Sequence, residues 1–192
     1  VVRRFVVIES VVVTVLPVLF LAVLFGGGGL LRRRNIDMDG EAPIGKGLFY
    51  SSKYAIMLLW AAMVLRAWGV RLSFVDVPGA LAWISLVLWV SGFTLLFIGR
   101  LGLGDSFRIG SAKEATRLKT GGLFRFSRNP MYVGVYATLI ASVVYTLNPI
   151  VFLLAAFVIV VHHKIVLAEE EHLRKTFGPE YADYCDHVRR YL

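Results

Sequence analysis

What limits this chain most is a series of apolar segments, each close to the length that crosses a bilayer. Phe5–Phe25 runs for 21 residues with one charged side chain, Glu9. As a helix rising about 1.5 Å per residue it reaches ~31 Å, the thickness of a hydrocarbon core. Further apolar stretches follow at Tyr54–Trp68, Gly79–Gly99 and Met131–Leu147, and a fifth opens at Ile150. The second is short and needs its flanks to span. The Gly26–Gly29 run follows the first. Asn148-Pro149 separates the last two. Asn-Pro is a turn signal and proline suits the first turn of a helix, so these two spans are predicted to form a helical hairpin. The first run is too long and too uniform for a signal-peptide core, and no clear A-x-A site follows, so it is read as a retained span. The predicted fold class is an all-α integral membrane protein with about five transmembrane helices.

Composition agrees. The chain is 192 residues long, 57% hydrophobic and 18% charged. Soluble domains sit nearer 45–50% and roughly 25%. Disorder is excluded, and the apolar surplus argues against a water-soluble enzyme. The net charge of +8 raises nucleic acid as a partner, but the placement of the charges gives another reason. With five spans, residues 32–53, 99–131 and 162–192 fall on one side and carry 17 of the 21 Lys and Arg residues. The positive-inside rule then puts that side, with the C-terminus, in the cytoplasm. No nucleic-acid-binding motif stands behind the charge, so no nucleic-acid partner is expected. The single cysteine, Cys185, allows no internal disulfide and no CxxC zinc spacing.

The chemistry must be built from the two long loops on that face. The chain divides accordingly into 1–98, three N-terminal spans, and 99–192, two spans with the polar segments. There is no Walker A, GxSxG or HExxH motif, and Gly102-Leu103-Gly104 is a lone GxG. The fifth helix is apolar from Ile150 to Val161, then continues through His162, His163, Lys164 and Glu169-Glu170-Glu171 to a stop at Gly178-Pro179. That makes about 28 residues and ~42 Å, so its far half leaves the lipid. Adjacent helical residues turn about 100° apart, so one or two of the three glutamates face inward and the rest outward. Beyond the stop, Tyr181, Tyr184, Cys185 and Val188 keep helical i, i+3, i+4, i+7 spacing. They suit a small helix on the membrane surface or capping the bundle, and equally a lid. Arg128-Asn129-Pro130 opens the fourth helix. Asn129 is an expected N-cap, Pro130 fits the first helical position, and the helix N-terminus with Arg128 favours an anion. Interfacial arginines that anchor to lipid headgroups explain the same residues. His162 and His163 point about 100° apart, and Glu169-x-x-His172 lacks the second motif of a di-iron site. No metal is expected, and these histidines are placed at the interface or on the helix surface.

Five pieces in order carry a resemblance. They are Leu103-Gly104-Asp105-Ser106-Phe107, Lys119-Thr120-Gly121-Gly122-Leu123-Phe124, and Arg128-Asn129-Pro130-Met131-Tyr132-Val133-Gly134. Then come Glu169-Glu170 and Phe177-Gly178-x-Glu180-Tyr181-x-x-Tyr184 with Arg190. Together they resemble the membrane methyltransferases, a group that includes isoprenylcysteine carboxyl methyltransferases and phosphatidylethanolamine N-methyltransferases. The isoprenylcysteine enzymes usually carry Arg-His-Pro where this chain has Arg128-Asn129-Pro130. Asn-Pro-Met-Tyr and the Leu-Gly-Asp run are closer to the phospholipid enzymes, and the Phe-Gly-x-Glu-Tyr tail to the isoprenylcysteine group.

The resemblance implies an S-adenosylmethionine (SAM) donor, bound on the cytoplasmic side by a C-terminal cofactor-binding segment. It also implies a lipophilic or lipidated acceptor arriving from the membrane lipids. The donor contacts it implies are Gly122, Leu123, Arg128, Asn129, Pro130, Tyr132, Glu169, Glu170, Tyr181 and Tyr184, with Arg128 and Glu170 central to catalysis. Arg128 and the fourth-helix N-terminus are expected on the SAM carboxylate. Glu169 or Glu170 is expected on the ammonium or ribose hydroxyls. Tyr132 with Tyr181 or Tyr184 is expected on the adenine or the sulfonium, where a cation–π contact helps. An NADPH-dependent membrane reductase of the sterol type and a non-enzymatic membrane scaffold are the alternatives. The acceptor and the oligomeric state are left open by the residues.

Overall fold

A computed structural model of the chain describes residues 2–32, 42–104 and 117–192. Five helices follow in order: α1 Val2–Arg32, α2 Lys46–Ala67, α3 Gly79–Leu103, α4 Pro130–Thr146 and α5 Pro149–His187. A short 3-10 turn, Gly122–Arg125, precedes α4. No strand occurs among the described residues. Asp105, Ser106 and Phe107 of the Leu-Gly-Asp run lie outside the described residues.

Helices α1, α2, α3 and α5 are each long and apolar enough to cross a membrane. The chain is an all-α membrane protein. Helix α2 starts at Lys46, so its flank supplies the length that Tyr54–Trp68 lacks. Helix α1 continues through the glycine run to Arg32. Glycine costs about 1 kcal/mol per helical residue. An unpaired backbone amide near lipid costs several, so the helix persists.

Helix α4 has only 17 residues, ~26 Å, short of a full hydrocarbon core. Its surroundings account for this. It packs on α2, α3 and α5, so most of its surface meets protein rather than acyl chains. The sequence allows that approach through small residues. Gly92 of α3 and Gly134 of α4 lie back to back. A Cβ at Gly92 would sit 2.8 Å from the Gly134 carbonyl oxygen, and one at Gly134 would sit 2.7 Å from that of Gly92. Small residues at such crossings let helix backbones meet, which drives association where lipid removes the hydrophobic incentive. A buried bond from Trp60 Nε1 to Thr138 Oγ1, 3.0 Å, ties α2 to α4. The aromatic core wraps Phe20 in edge-on rings of Trp60, Phe93 and Phe97 at 5.5–6.1 Å.

The hairpin forms as its residues dictate. Leu147 adopts a left-handed conformation to end α4. Asn148 Oδ1 then accepts from the amides of Ile150 and Val151 at 2.8 and 3.3 Å, capping α5. The expected stop at Gly178-Pro179 is a sharp break inside α5, with Gly178 at φ +49°. Only glycine takes that backbone readily, and it turns residues 179–187 back across the bundle end. Glu169 lies about 20 residues along α5 from Pro149, ~30 Å, the thickness of a hydrocarbon core. The start of α4, the outer half of α5 and the tail thus meet at one end. Glu9, Arg66 and Tyr145 mark the other.

Candidate active site

At the α4 end, one carboxylate is held by three side chains from distant parts of the chain. Arg128 donates from Nε and Nη2 to Glu170 Oε1, both at 3.2 Å. Asn129 Nδ2 donates to the same oxygen at 3.2 Å. Arg190 donates from Nε to Oε2 at 3.0 Å, and its Nη2 lies 2.9 Å from that oxygen. Glu170 is buried, 6% exposed. Burial pushes its pKa up, but the Arg190 hydrogen bond and the charges of Arg128 and Arg190 outweigh that and leave it below the usual carboxylate range.

Arg128 is equally committed. Its Nη1 donates to the carbonyls of Cys185 at 3.2 Å and Val188 at 2.7 Å. Its backbone amide donates to the Arg189 carbonyl at 2.9 Å. Four side-chain bonds occupy nearly all five donors of the guanidinium. Ser127 Oγ and Asn129 Nδ2 both donate to the Arg190 carbonyl. The residues before α4 therefore clamp the tail. Asn129 holds the N-cap position but makes no side-chain cap bond. A buried carboxylate attracts its amide more strongly than a helix end does.

Glu169 faces a different environment. Its Oε2 accepts from the Tyr132 hydroxyl at 3.0 Å. Removal from water raises its pKa to about 7, against the opposing Tyr132 hydrogen bond and the Lys53 charge. Glu171 points to solvent and pairs with Lys175 at 3.4 Å. The triplet splits as helical rotation requires, into a clamped carboxylate, a second one bonded to Tyr132 and a solvated third.

His162 corrects the sequence reading. It is not at the surface but 3% exposed, and its ring meets Tyr132 edge-on at 5.6 Å. Neither ring nitrogen has a hydrogen-bond partner among the described residues. His163 sits at the edge of the same cluster, its Nδ1 2.8 Å from the Tyr191 hydroxyl.

Tyr181 and Tyr184 turn inward, 1% and 8% exposed. Tyr184 donates to the Phe124 carbonyl at 2.5 Å, fastening the tail helix to the 3-10 turn that holds Gly122 and Leu123. Gly122 has φ +63°, the conformation that lets the turn form. Between this turn and the tail helix lies a recess of about 490 Å³, lined by Arg125, Glu180, Asp183, Tyr184 and His187 among others. Of the residues expected at the donor, Tyr184 lines this recess. Arg128, Asn129 and Glu170 form the neighbouring clamp, and Pro130 is buried at the first turn of α4.

Sequence reasoning missed Lys53, Ser127 and Tyr191 as members of this end. Lys53 projects from α2 with its ammonium 4.4 Å from the centre of the Phe49 ring, near enough to Glu169 and His162 to act on their charge. A lone lysine immediately before an apolar span was the signal available for it.

The fold and the clamp together define the class of a helical membrane protein with a buried ionic cluster at the α4 end. Residues 75–180 match the phospholipid methyltransferase family, and the chain belongs to that family. No curated protein matches the chain.

Proposed function

We propose that this chain is a SAM-dependent methyltransferase. It moves a methyl group to the amine of a lipophilic acceptor by direct displacement, at the cytoplasmic end of the bundle. The observation that carries the reading is the contrast between two adjacent carboxylates. Glu170 is locked as an anion by two arginines, while the pKa of Glu169 lies at about 7.

The residues suit the donor. Arg125, Glu180, Asp183 and Tyr184 surround one recess, a cation, two carboxylates and a ring. These match the carboxylate, the ammonium and hydroxyls, and the flat base of SAM. Gly122 and Leu123 supply backbone beside it, and Tyr181 backs Tyr184. The Arg128–Asn129–Glu170 clamp lies next to the recess and fixes the start of α4 with Pro130. When bound, SAM supplies an electrophilic methyl on a sulfonium and needs no covalent enzyme nucleophile.

The chain's own task is then positioning and proton removal. Positioning can contribute on the order of 7–11 kcal/mol at best. A protonated amine cannot attack, so Glu169 takes its proton, oriented by the Tyr132 hydroxyl. A general base with a pKa near the working pH is well matched to that task. A phospholipid amine is the acceptor that needs such a base. A carboxylate or thiolate would not.

Methyl-labelled SAM mixed with native membranes, followed by identification of the labelled lipid, tests the proposal directly. Label is expected in an aminophospholipid. Arg128→Ala with Glu170→Ala should abolish SAM binding while the helical content persists. Normal transfer by that double variant would overturn the site assignment.

A further inference from the structure

Glu9 of α1 and Arg66 of α2 take no part in the site above. Both line a second cavity, about 390 Å³, at the opposite end of the bundle. Its walls come from four helices: Glu9 and Ser10 of α1, Arg66 of α2, Ala82 of α3 and Tyr145 of α4. The Tyr145 hydroxyl donates to Glu9 Oε1. The Arg66 guanidinium lies over the Tyr145 ring, 5.7 Å from its centroid, and its Nε donates to Ser73 Oγ at 3.1 Å.

Opposite charges in one half-buried cavity ordinarily pair. Here no ion pair joins Glu9 to Arg66 among the described residues, and the Tyr145 ring stands between their roles, bonded to one and stacked by the other. Beyond Nε, no described residue takes a hydrogen bond from the Arg66 fork. The cavity therefore presents a cationic fork and a carboxylate, each with unused capacity, across one aromatic ring. A ligand that satisfies both carries an anion and an ammonium a few bonds apart. The rim selects its source. Val7 and Trp68 are exposed apolar residues lining it, 59% and 62% exposed. A tryptophan at the end of a span sits at headgroup level. Trp68 is pinned there by its Nε1 bond to Thr14 Oγ1, 2.9 Å.

We infer that this cavity binds the zwitterionic headgroup of an aminophospholipid in the leaflet opposite the Arg128 end. Arg66 engages the phosphate and Glu9 the ammonium. The site is independent of methyl transfer and holds whether or not the chain transfers methyl groups.

The test uses the full chain in nanodiscs of matched acyl composition, with hydrogen exchange read at residues 66–77. Phosphatidylethanolamine discs should slow exchange there at least several-fold relative to phosphatidylglycerol discs. Glu9→Gln should remove the difference between the lipids, Arg66→Met should abolish protection in both, and Arg66→Lys should retain most of it. Unchanged exchange in residues 149–161 reports that each variant is folded. Soluble glycerophosphoethanolamine added to phosphatidylglycerol discs should give no protection. Equal exchange in the two lipids, or protection that survives Arg66→Met, overturns the site. Full protection by the soluble compound overturns the lipid as its occupant. Exchange at residues 119–132 reports separately on the methyl-transfer end.

Discussion

Glu169 and Glu170 are neighbours in sequence, yet their surroundings give them opposite acid–base behaviour, and each makes a measurable claim. Glu170 has its folded-state pKa lowered. Its stabilisation is complete above the ordinary carboxylate range and is lost as pH falls through the lowered value. Glu170→Gln should lower the melting temperature at neutral pH, where breaking a buried pair costs about 3 kcal/mol. It should also flatten the acid side of the stability profile. Glu169 has the reverse sign. Its pKa of about 7 means that folding takes up a proton, so stability falls as pH rises from the ordinary carboxylate range through about 7. Glu169→Gln should therefore melt higher than the parent chain above pH 7. The same change should remove the rise in methylation rate through pH 7 and lower the rate by roughly 10²–10⁴-fold, the usual contribution of a general base. A pH–rate profile with a lipid amine checks both.

The elements were legible wherever a local signal fixes them. Hydropathy marked the spans, Asn148-Pro149 marked the hairpin and Gly178-Pro179 marked the break, because caps and breakers act within a few residues. Pairing was not legible in this way. Arg128 meets Glu170 across 42 positions and the Val188 carbonyl across 60, and nothing near Arg128 specifies either. Asn129 was read as a cap because its neighbours are those of a cap. A carboxylate on another helix claimed it instead. His162 was read as superficial from its place at the end of an apolar run, but α2 and α4 cover it. Helix packing supplies a further prediction. Gly92→Ala places a methyl 2.8 Å from backbone oxygen, so α3 and α4 must separate, at about 1–3 kcal/mol. Gly47→Ala in α2 meets nothing within 4 Å and should be neutral or stabilise by ~0.5 kcal/mol. Thermal denaturation in detergent distinguishes them.

For the whole molecule, we propose from the charge asymmetry of the sequence that the Arg128 end faces the cytoplasm. Phe74 and Asp186 are exposed near opposite ends. In a Cys185→Ser background, Asp186→Cys should react with a membrane-impermeant thiol reagent only from the cytoplasmic face, and Phe74→Cys only from the other. The reverse pattern would invert the topology. The clamp at Glu170 has a consequence in time as well as space. Its two arginines flank the glutamate in sequence, 42 positions before and 20 after, so the cradle is complete only once the tail has docked against the start of α4.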